Sequence, residues 1–96
     1  MTTEATSWAW KARVKPASLK LTLLALADAA DAEHYSSPSM ARLVSDVGLE
    51  IHQVRKHLIR LEGLGFITDA GRQINADNDG WVRVWRLNGV QGRDLS

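Results

Sequence analysis

A chain of 96 residues has the size of one small domain and is long enough to bury a single hydrophobic core. Its 45% hydrophobic and 24% charged residues exclude an intrinsically disordered chain, and the lack of cysteine excludes disulfides and Cys-containing zinc sites. The first residues do not have the pattern of a signal peptide, and charges interrupt the longest apolar stretch, so we expect a soluble, cytoplasmic protein.

The formal net charge of +1 is unevenly distributed along the chain. Residues 1–20 carry a net charge of +3, residues 21–50 carry −4, and residues 51–96 carry +2. This separation favours one basic face on the folded domain.

The N-terminal part has little periodicity. Residues 1–7 are small and polar, which predicts a flexible end. Trp8, Trp10 and Val14 follow at alternate positions, and we expect either a short strand or an irregular arm that packs on the domain.

Leucines and alanines at helical spacing predict a first helix over about residues 16–32, with Pro16 in its first turn. Alanine and leucine are strong helix formers, so this helix should be the buried spine of the domain. Its acidic end, Asp28 to Glu33, should face solvent or a partner.

Ser36, Ser37, Pro38 and Ser39 are typical of a loop and a helix start, with a hydroxyl cap before an early helical proline. They predict a short second helix from Met40 to Val47, which Gly48 should end because glycine readily takes the left-handed conformation of a sharp turn.

The third helix starts after Leu49 and should end at Gly63 or Gly65. Its apolar stripe should face the core through Val54, Leu58 and Leu61. The opposite face presents His52, Gln53, Arg55, Lys56, Ile59 and Arg60.

A β-hairpin is predicted to follow. Residues 66–68 and residues 81–87 are rich in aromatic and β-branched side chains, and the polar residues 69–80 between them should form a long tip. The four tryptophans can stack on single-stranded bases or close the core, and we favour closure of the core. Residues 89–96 are expected to form a flexible tail.

These elements together predict an α+β fold, a winged helix-turn-helix domain over residues 8–88 with three helices and a two-stranded hairpin wing. A short helix crossing a longer one lets the longer helix project, so that its outer face can enter the major groove of DNA.

The order and spacing of short motifs lead to the same fold. These motifs are KLTLLALAD (residues 20–28), Ser37, Pro38, Ser39, MARLVSDVGL (residues 40–49), VRKHLIRLEGLG (residues 54–65), Phe66 and Ile67. In them the chain resembles the helix-turn-helix domains of phage and plasmid replication-initiation and regulatory proteins. The resemblance covers about residues 8–88 and implies DNA binding by the third helix.

The chain departs from that family at the start of the third helix. The family commonly has a Ser or Thr cap followed by a polar pair, whereas this chain has Glu50, Ile51 and His52. A carboxylate there stabilises the helix dipole but repels phosphate.

We expect Arg55, Lys56 and Arg60 to contact phosphates and base edges, although a solvated helix face has the same composition. His52 and Gln53 lie at the helix start, where base edges are usually read. The other residues predicted to contact DNA are Ser39, Arg72 and Arg83.

Metal binding and catalysis have little support. His52 and His57 are five residues apart, whereas helical ligands prefer spacings of three or four, and His34 lies far away in sequence. The sequence contains no glycine-rich phosphate loop, no cysteine nucleophile and no spaced Asp or Glu pair with an adjacent base. We expect no metal, no cofactor and no enzymatic activity.

The resulting hypothesis is a double-stranded DNA-binding protein that acts in transcription regulation or DNA replication of a phage, plasmid or mobile element. It would act in the bacterial cytoplasm, associated with the nucleoid. A homodimer would read two half-sites one DNA turn apart, with the N-terminal arm or the wing supplying the dimer contact. The alternative is a winged-helix protein-interaction module, an adaptor or inhibitor of a replication or transcription complex.

Overall fold

The structure is a computed structural model that describes residues 3–75 and 81–90. It confirms the α+β class. In chain order its elements are α1 (Thr3–Lys11), α2 (Ala17–Asp28), β1 (Tyr35–Ser36), α3 (Met40–Val47), α4 (Ile51–Gly63), β2 (Ile67–Asn75) and β3 (Trp81–Leu87). The described residues therefore contain four helices and a three-stranded antiparallel sheet, where the sequence predicted three helices and two strands.

The sequence predicted a flexible end over residues 1–7 and then a short strand or an irregular arm. Helix α1 covers this segment from Thr3 onward, so these predictions are wrong there. Ala5 and Ala9, one helical turn apart, are fully buried, and these small side chains let α1 lie close against α2. Trp8 also packs on the core, with its ring edge-on to Phe66 at a centroid distance of 6.2 Å.

Helix α2 is the predicted spine, with Leu19, Leu23 and Leu26 almost fully buried. It begins at Ala17, directly after Pro16, which precedes the first turn instead of lying within it. It ends at Asp28, four residues before the predicted end, because the chain turns there and Ala30 bridges to the first strand.

Helices α3 and α4 have the predicted bounds, and the turn between them depends on Gly48, whose φ of 78° is left-handed. The sequence predicted that a serine before Pro38 caps α3. In the structure Ser39 is the cap, because its Oγ accepts the Arg42 backbone N–H at 3.0 Å, and Pro38 lies outside the helix. Helix α4 starts with a capping box of Glu50 and Gln53.

Strand β3 is central in the sheet, in the order β1-β3-β2. Strand β1 pairs through Tyr35↔Arg86 and Ser36↔Trp85, contacts that the sequence analysis missed. Strand β2 extends to Asn75, so the predicted long tip is partly strand. The rest of that tip, residues 76–80, and residues 91–96 of the predicted tail lie outside the described residues.

The β2–β3 hairpin contains a register shift between Asp69 and Gln73. Gly71, with a φ of 80°, sits inside the shift, and the Asp69 carboxylate accepts its backbone N–H at 2.8 Å. A bulge of this kind increases strand twist and re-aims the following side chains.

The core lies between the helices and one face of the sheet and includes Trp85. Closure of the core by tryptophan is confirmed for Trp8 and Trp85 but is wrong for Trp10, which is 64% exposed. The side chain of Trp81 lies outside the described part. No helix within the described residues has the length and apolar character needed to cross a bilayer.

Candidate nucleic-acid interface

The orientation of α4 follows from its apolar stripe. Val54, Leu58 and Leu61 point into the core, where Leu43 of α3 is also buried, and the turn at Gly48 sets the angle between the two helices. Apart from the half-buried His57, the remaining circumference of α4 is solvent-exposed, as the helical spacing predicts.

Three cations lie on this exposed side of α4: Arg55, Lys56 and Arg60. At 100° per residue, Lys56 and Arg60 lie opposite the buried stripe, and Arg55 lies at its edge. All three are exposed, and none forms an ion pair with another described residue. We call the surface formed by His52, Gln53, Arg55, Lys56, Ile59 and Arg60 the outer face of α4.

Of the other described arginines, Arg42 and Arg83 are engaged with acids, whereas Arg13, Arg72 and Arg86 have no ion pair with a described residue. Arg42 lies 3.5 Å from Asp28 and 3.5 Å from Asp46, while Arg83 lies 3.3 Å from Asp69. The outer face of α4 therefore carries positive charge that nearby carboxylates do not neutralise through direct pairing, which leaves it available for an external anion.

His52 and Gln53, the two polar residues at the start of α4, both interact with its N-cap residue, Glu50. Gln53 Oε1 accepts the backbone N–H of Glu50 at 3.1 Å, and His52 Nδ1 lies 3.4 Å from Glu50 Oε1. The carbonyl oxygen of Gln53 is thus used within the helix, whereas its amide NH₂ group still has donors for a base edge.

Ser39 has a structural role that the sequence analysis assigned to earlier serines. It is almost fully buried, and its hydroxyl oxygen caps α3. A DNA contact by Ser39 would have to reach the hydroxyl proton of a buried side chain.

Two of the hairpin arginines, Arg72 and Arg83, lie over aromatic rings. The Arg72 guanidinium is 5.0 Å from the Tyr35 ring centroid, and that of Arg83 is 5.7 Å from the Trp85 ring centroid. Arg83 also lines a groove next to α4, so the fold brings Arg83 and Arg55 to one place.

That groove has a volume of about 450 Å³ and lies between the start of α3, helix α4 and strand β3. Its walls include Met40, Arg55, Leu58, Ile59, Arg83 and Trp85. The sequence analysis did not find it, because its walls come from three segments far apart in the chain and only the packing of α4 on the sheet unites them.

The histidines have separate surroundings. His57 Nε2 lies 3.1 Å from Ser18 Oγ and links α4 to α2, a contact that sequence reasoning missed. Among the described residues no three His, Asp or Glu side chains come together as metal ligands.

Comparisons of this chain with protein-family models, with curated proteins and with solved structures find no match.

Proposed function

We propose that the protein is a winged helix-turn-helix protein that binds double-stranded DNA through the outer face of α4. The observation that carries the proposal is the set of exposed cations Arg55, Lys56 and Arg60, which have no acidic partner among the described residues. Unpaired cations on a projecting helix can neutralise phosphates and release their counterions.

The shape of this region supports the proposal. An α-helix with its side chains is about 10–12 Å wide and fits a major groove about 12 Å wide. With α4 in the groove, Lys56 and Arg60 face the DNA, and the arginines can bind guanine or phosphate in a bidentate manner. The β2–β3 hairpin, with Arg72 and Arg83, would lie beside the neighbouring backbone.

The biological process forms a further part of the proposal. The resemblance to phage and plasmid replication-initiation and regulatory domains supports a role in replication or transcription of a mobile element. Cytoplasmic action at the nucleoid follows from a DNA target.

The test measures fluorescence anisotropy of a labelled random duplex over a series of salt concentrations. Arg60→Ala should weaken binding about five- to tenfold near 0.1 M salt and reduce the slope of log K against log salt by about one, because one phosphate contact is lost. Arg42→Ala is the matched control, since it also removes one helical arginine, but one that is paired with Asp28 and Asp46.

The Arg42→Ala protein should retain the native slope. Equal losses of affinity and slope in both variants would mean that net charge alone drives binding and that α4 is not the interface. A folded native chain that does not bind duplex DNA even at low salt would overturn the proposal altogether.

A protein-interaction module is the second candidate, and the groove beside α4 is the observation that favours it. Ile59 at its rim is 69% exposed, and Leu58, Met40 and Trp85 contribute apolar walls. An exposed apolar patch with a polar rim is typical of a protein contact. Absence of DNA binding by the folded protein would favour this candidate.

A further inference from the structure

Helix α2 is apolar on its outer side as well as on its buried side. Ala17, Leu21, Leu24 and Asp28 follow one another at spacings of four, three and four residues, opposite the buried leucines. Ala17 and Leu21 are exposed, whereas Asp28 is half-buried and Leu24 is partly buried against the core. We call this row the α2 seam. A helix that is apolar on all sides is usually buried on all sides, yet Leu21 is 49% exposed.

The polar side chains of α2 outside this seam are engaged elsewhere. Ser18 contacts His57, Thr22 Oγ1 donates to the Ser18 carbonyl at 2.9 Å, and Lys20 Nζ donates to the Ala12 carbonyl at 3.2 Å. The Lys20 ammonium also lies 5.5 Å from the ring centroid of the exposed Trp10, which extends the apolar surface at the edge of α2.

The two ends of α2 carry opposite charges. Around the N-terminal end lie Lys11, Arg13, Lys15 and Lys20, and the chain has no acidic residue from position 5 to position 27. At the C-terminal end lie Asp28, Asp31 and Glu33, and Arg42 of α3, which lies 3.5 Å from Asp28, offsets only part of this negative charge. A surface with opposite charges at its two ends is complementary to an antiparallel copy of itself.

We propose that the α2 seam is the contact surface of a homodimer, in which α2 packs antiparallel to α2 of a second copy across a two-fold axis. The axis passes midway between Leu21 and Leu24, so that Leu21 meets Leu24 of the partner subunit and Ala17 meets Asp28 of the partner subunit. The spacing of four, three and four residues is the one that keeps an apolar row facing a neighbouring helix.

Electrostatic complementarity fixes the antiparallel direction. Asp28 of each copy, which also pairs with Arg42 of its own chain, comes to the basic end of the other copy near Lys15, and the helix dipoles also oppose each other. A parallel arrangement would bring like charges together at both ends. The seam spans the 12 residues of α2 and is about 16 Å long from its first to its last residue, so the dimer should dissociate upon dilution.

This location differs from the N-terminal arm or hairpin wing expected for a dimer contact. The inference does not depend on DNA binding, because the α2 seam and the outer face of α4 share no residue.

The first test is sedimentation equilibrium over a wide range of protein concentration. The native mass should rise from 10.6 kDa towards twice that value, whereas Leu21→Glu should remain monomeric throughout. Leu64→Glu is the matched control, because Leu64 is 50% exposed and lies outside the seam. Its protein should dimerise as the native chain does.

Three outcomes of this test would overturn the inference. These are a native mass that stays at 10.6 kDa, dimerisation of a folded Leu21→Glu protein at the native concentration, and a loss of dimer that is larger for Leu64→Glu. Leu21→Glu should still bind random duplex DNA with the native salt slope per monomer, so loss of the dimer and loss of DNA binding are separate readouts.

A charge exchange tests the antiparallel direction without changing the leucines. Lys15→Glu and Asp28→Lys should each weaken the homodimer, because each places like charges at both ends of the seam. An equimolar mixture should form heterodimers more tightly than either variant forms homodimers, because both ends again pair opposite charges. Failure of the mixture to exceed either variant alone would exclude the antiparallel seam.

Discussion

Helices α2 and α4 are of similar length but use their surfaces in opposite ways. In α2 the polar side chains Ser18, Lys20 and Thr22 bond within the molecule, and the outer surface is largely apolar. In α4 the apolar side chains are mostly confined to one stripe, and the cations Lys56 and Arg60 have no ion pair with a described residue.

The difference shows how a small domain separates its tasks. A helix whose polar groups are satisfied internally can offer mainly apolar surface to a neighbour, which suits a contact with protein. A helix with unpaired charges suits a polyanion, because the charges need no rearrangement before binding. Substitutions that affect one helix and spare the other therefore test this separation directly.

The largest expected effect is in the buried side of α2. Leu26→Ala should lower the free energy of unfolding by about 3 kcal/mol, because it removes buried methyl groups and leaves a cavity. Ile59→Ala in α4 should change it by less than about 0.5 kcal/mol, since Ile59 is 69% exposed. Urea denaturation measures the free energy of unfolding of both variants. Equal decreases would contradict the assignment of Leu26 to the core and of Ile59 to the exposed surface.

An intermediate effect is expected at the turn before α4. Gly48→Ala should cost about 1–2 kcal/mol, because an L-residue is strained at a φ of 78° even though no atom lies within 4 Å of the added carbon. Gly63→Ala, also with open space, adds a better helix former and should stabilise by up to about 1 kcal/mol. The midpoint temperature of thermal unfolding should fall for Gly48→Ala and rise for Gly63→Ala. A shift of both midpoints in the same direction would contradict the assigned roles of these two glycines.

The smallest stability effect concerns the cap of α4. Gln53→Glu keeps an acceptor for the Glu50 backbone N–H, so the free energy of unfolding should change by less than about 0.5 kcal/mol, while the added negative charge weakens duplex binding severalfold. Gln53→Ala removes the acceptor, so it should lower the free energy of unfolding by about 0.5–1 kcal/mol while the affinity for random duplex DNA changes little. Denaturation and anisotropy on both variants check this, and unaltered DNA affinity of Gln53→Glu would place the interface away from the start of α4.

The predictable part of the fold is the part whose signals are local. Gly48 marks the end of α3, and the stripe of Val54, Leu58 and Leu61 marks α4 and thereby its outer face. These features depend on residues within a turn or two of each other, so periodicity and the glycine stop at Gly48 were sufficient to predict both helices and the placement of the cations, whereas the serine cap of α3 and the capping box of α4 were not predicted correctly.

The missed elements depend on distant contacts. Helix α1 is stabilised where Ala5 and Ala9 meet the rest of the core, and the alternation of Trp8 and Trp10 suggested a strand instead. Strand β1 has two residues and exists only through its pairing with β3. The bulge around Gly71 interrupts the alternation of β2, which concealed the length of that strand.

The attachment of the sheet to α2 has a mechanical consequence. Ser36 pairs with Trp85 in the sheet, and its buried hydroxyl donates to the Leu26 carbonyl at 2.7 Å, so this end of the hairpin is clamped to the spine of the domain. Beyond the bulge, the described pairs from Gln73↔Arg83 to Asn75↔Trp81 join only two strands. Amide hydrogens should therefore exchange faster there than at Trp85. The part of the hairpin that is attached to α2 is therefore held by more contacts than the described pairs beyond the bulge, and opening of those pairs can occur without disturbing the core of the domain.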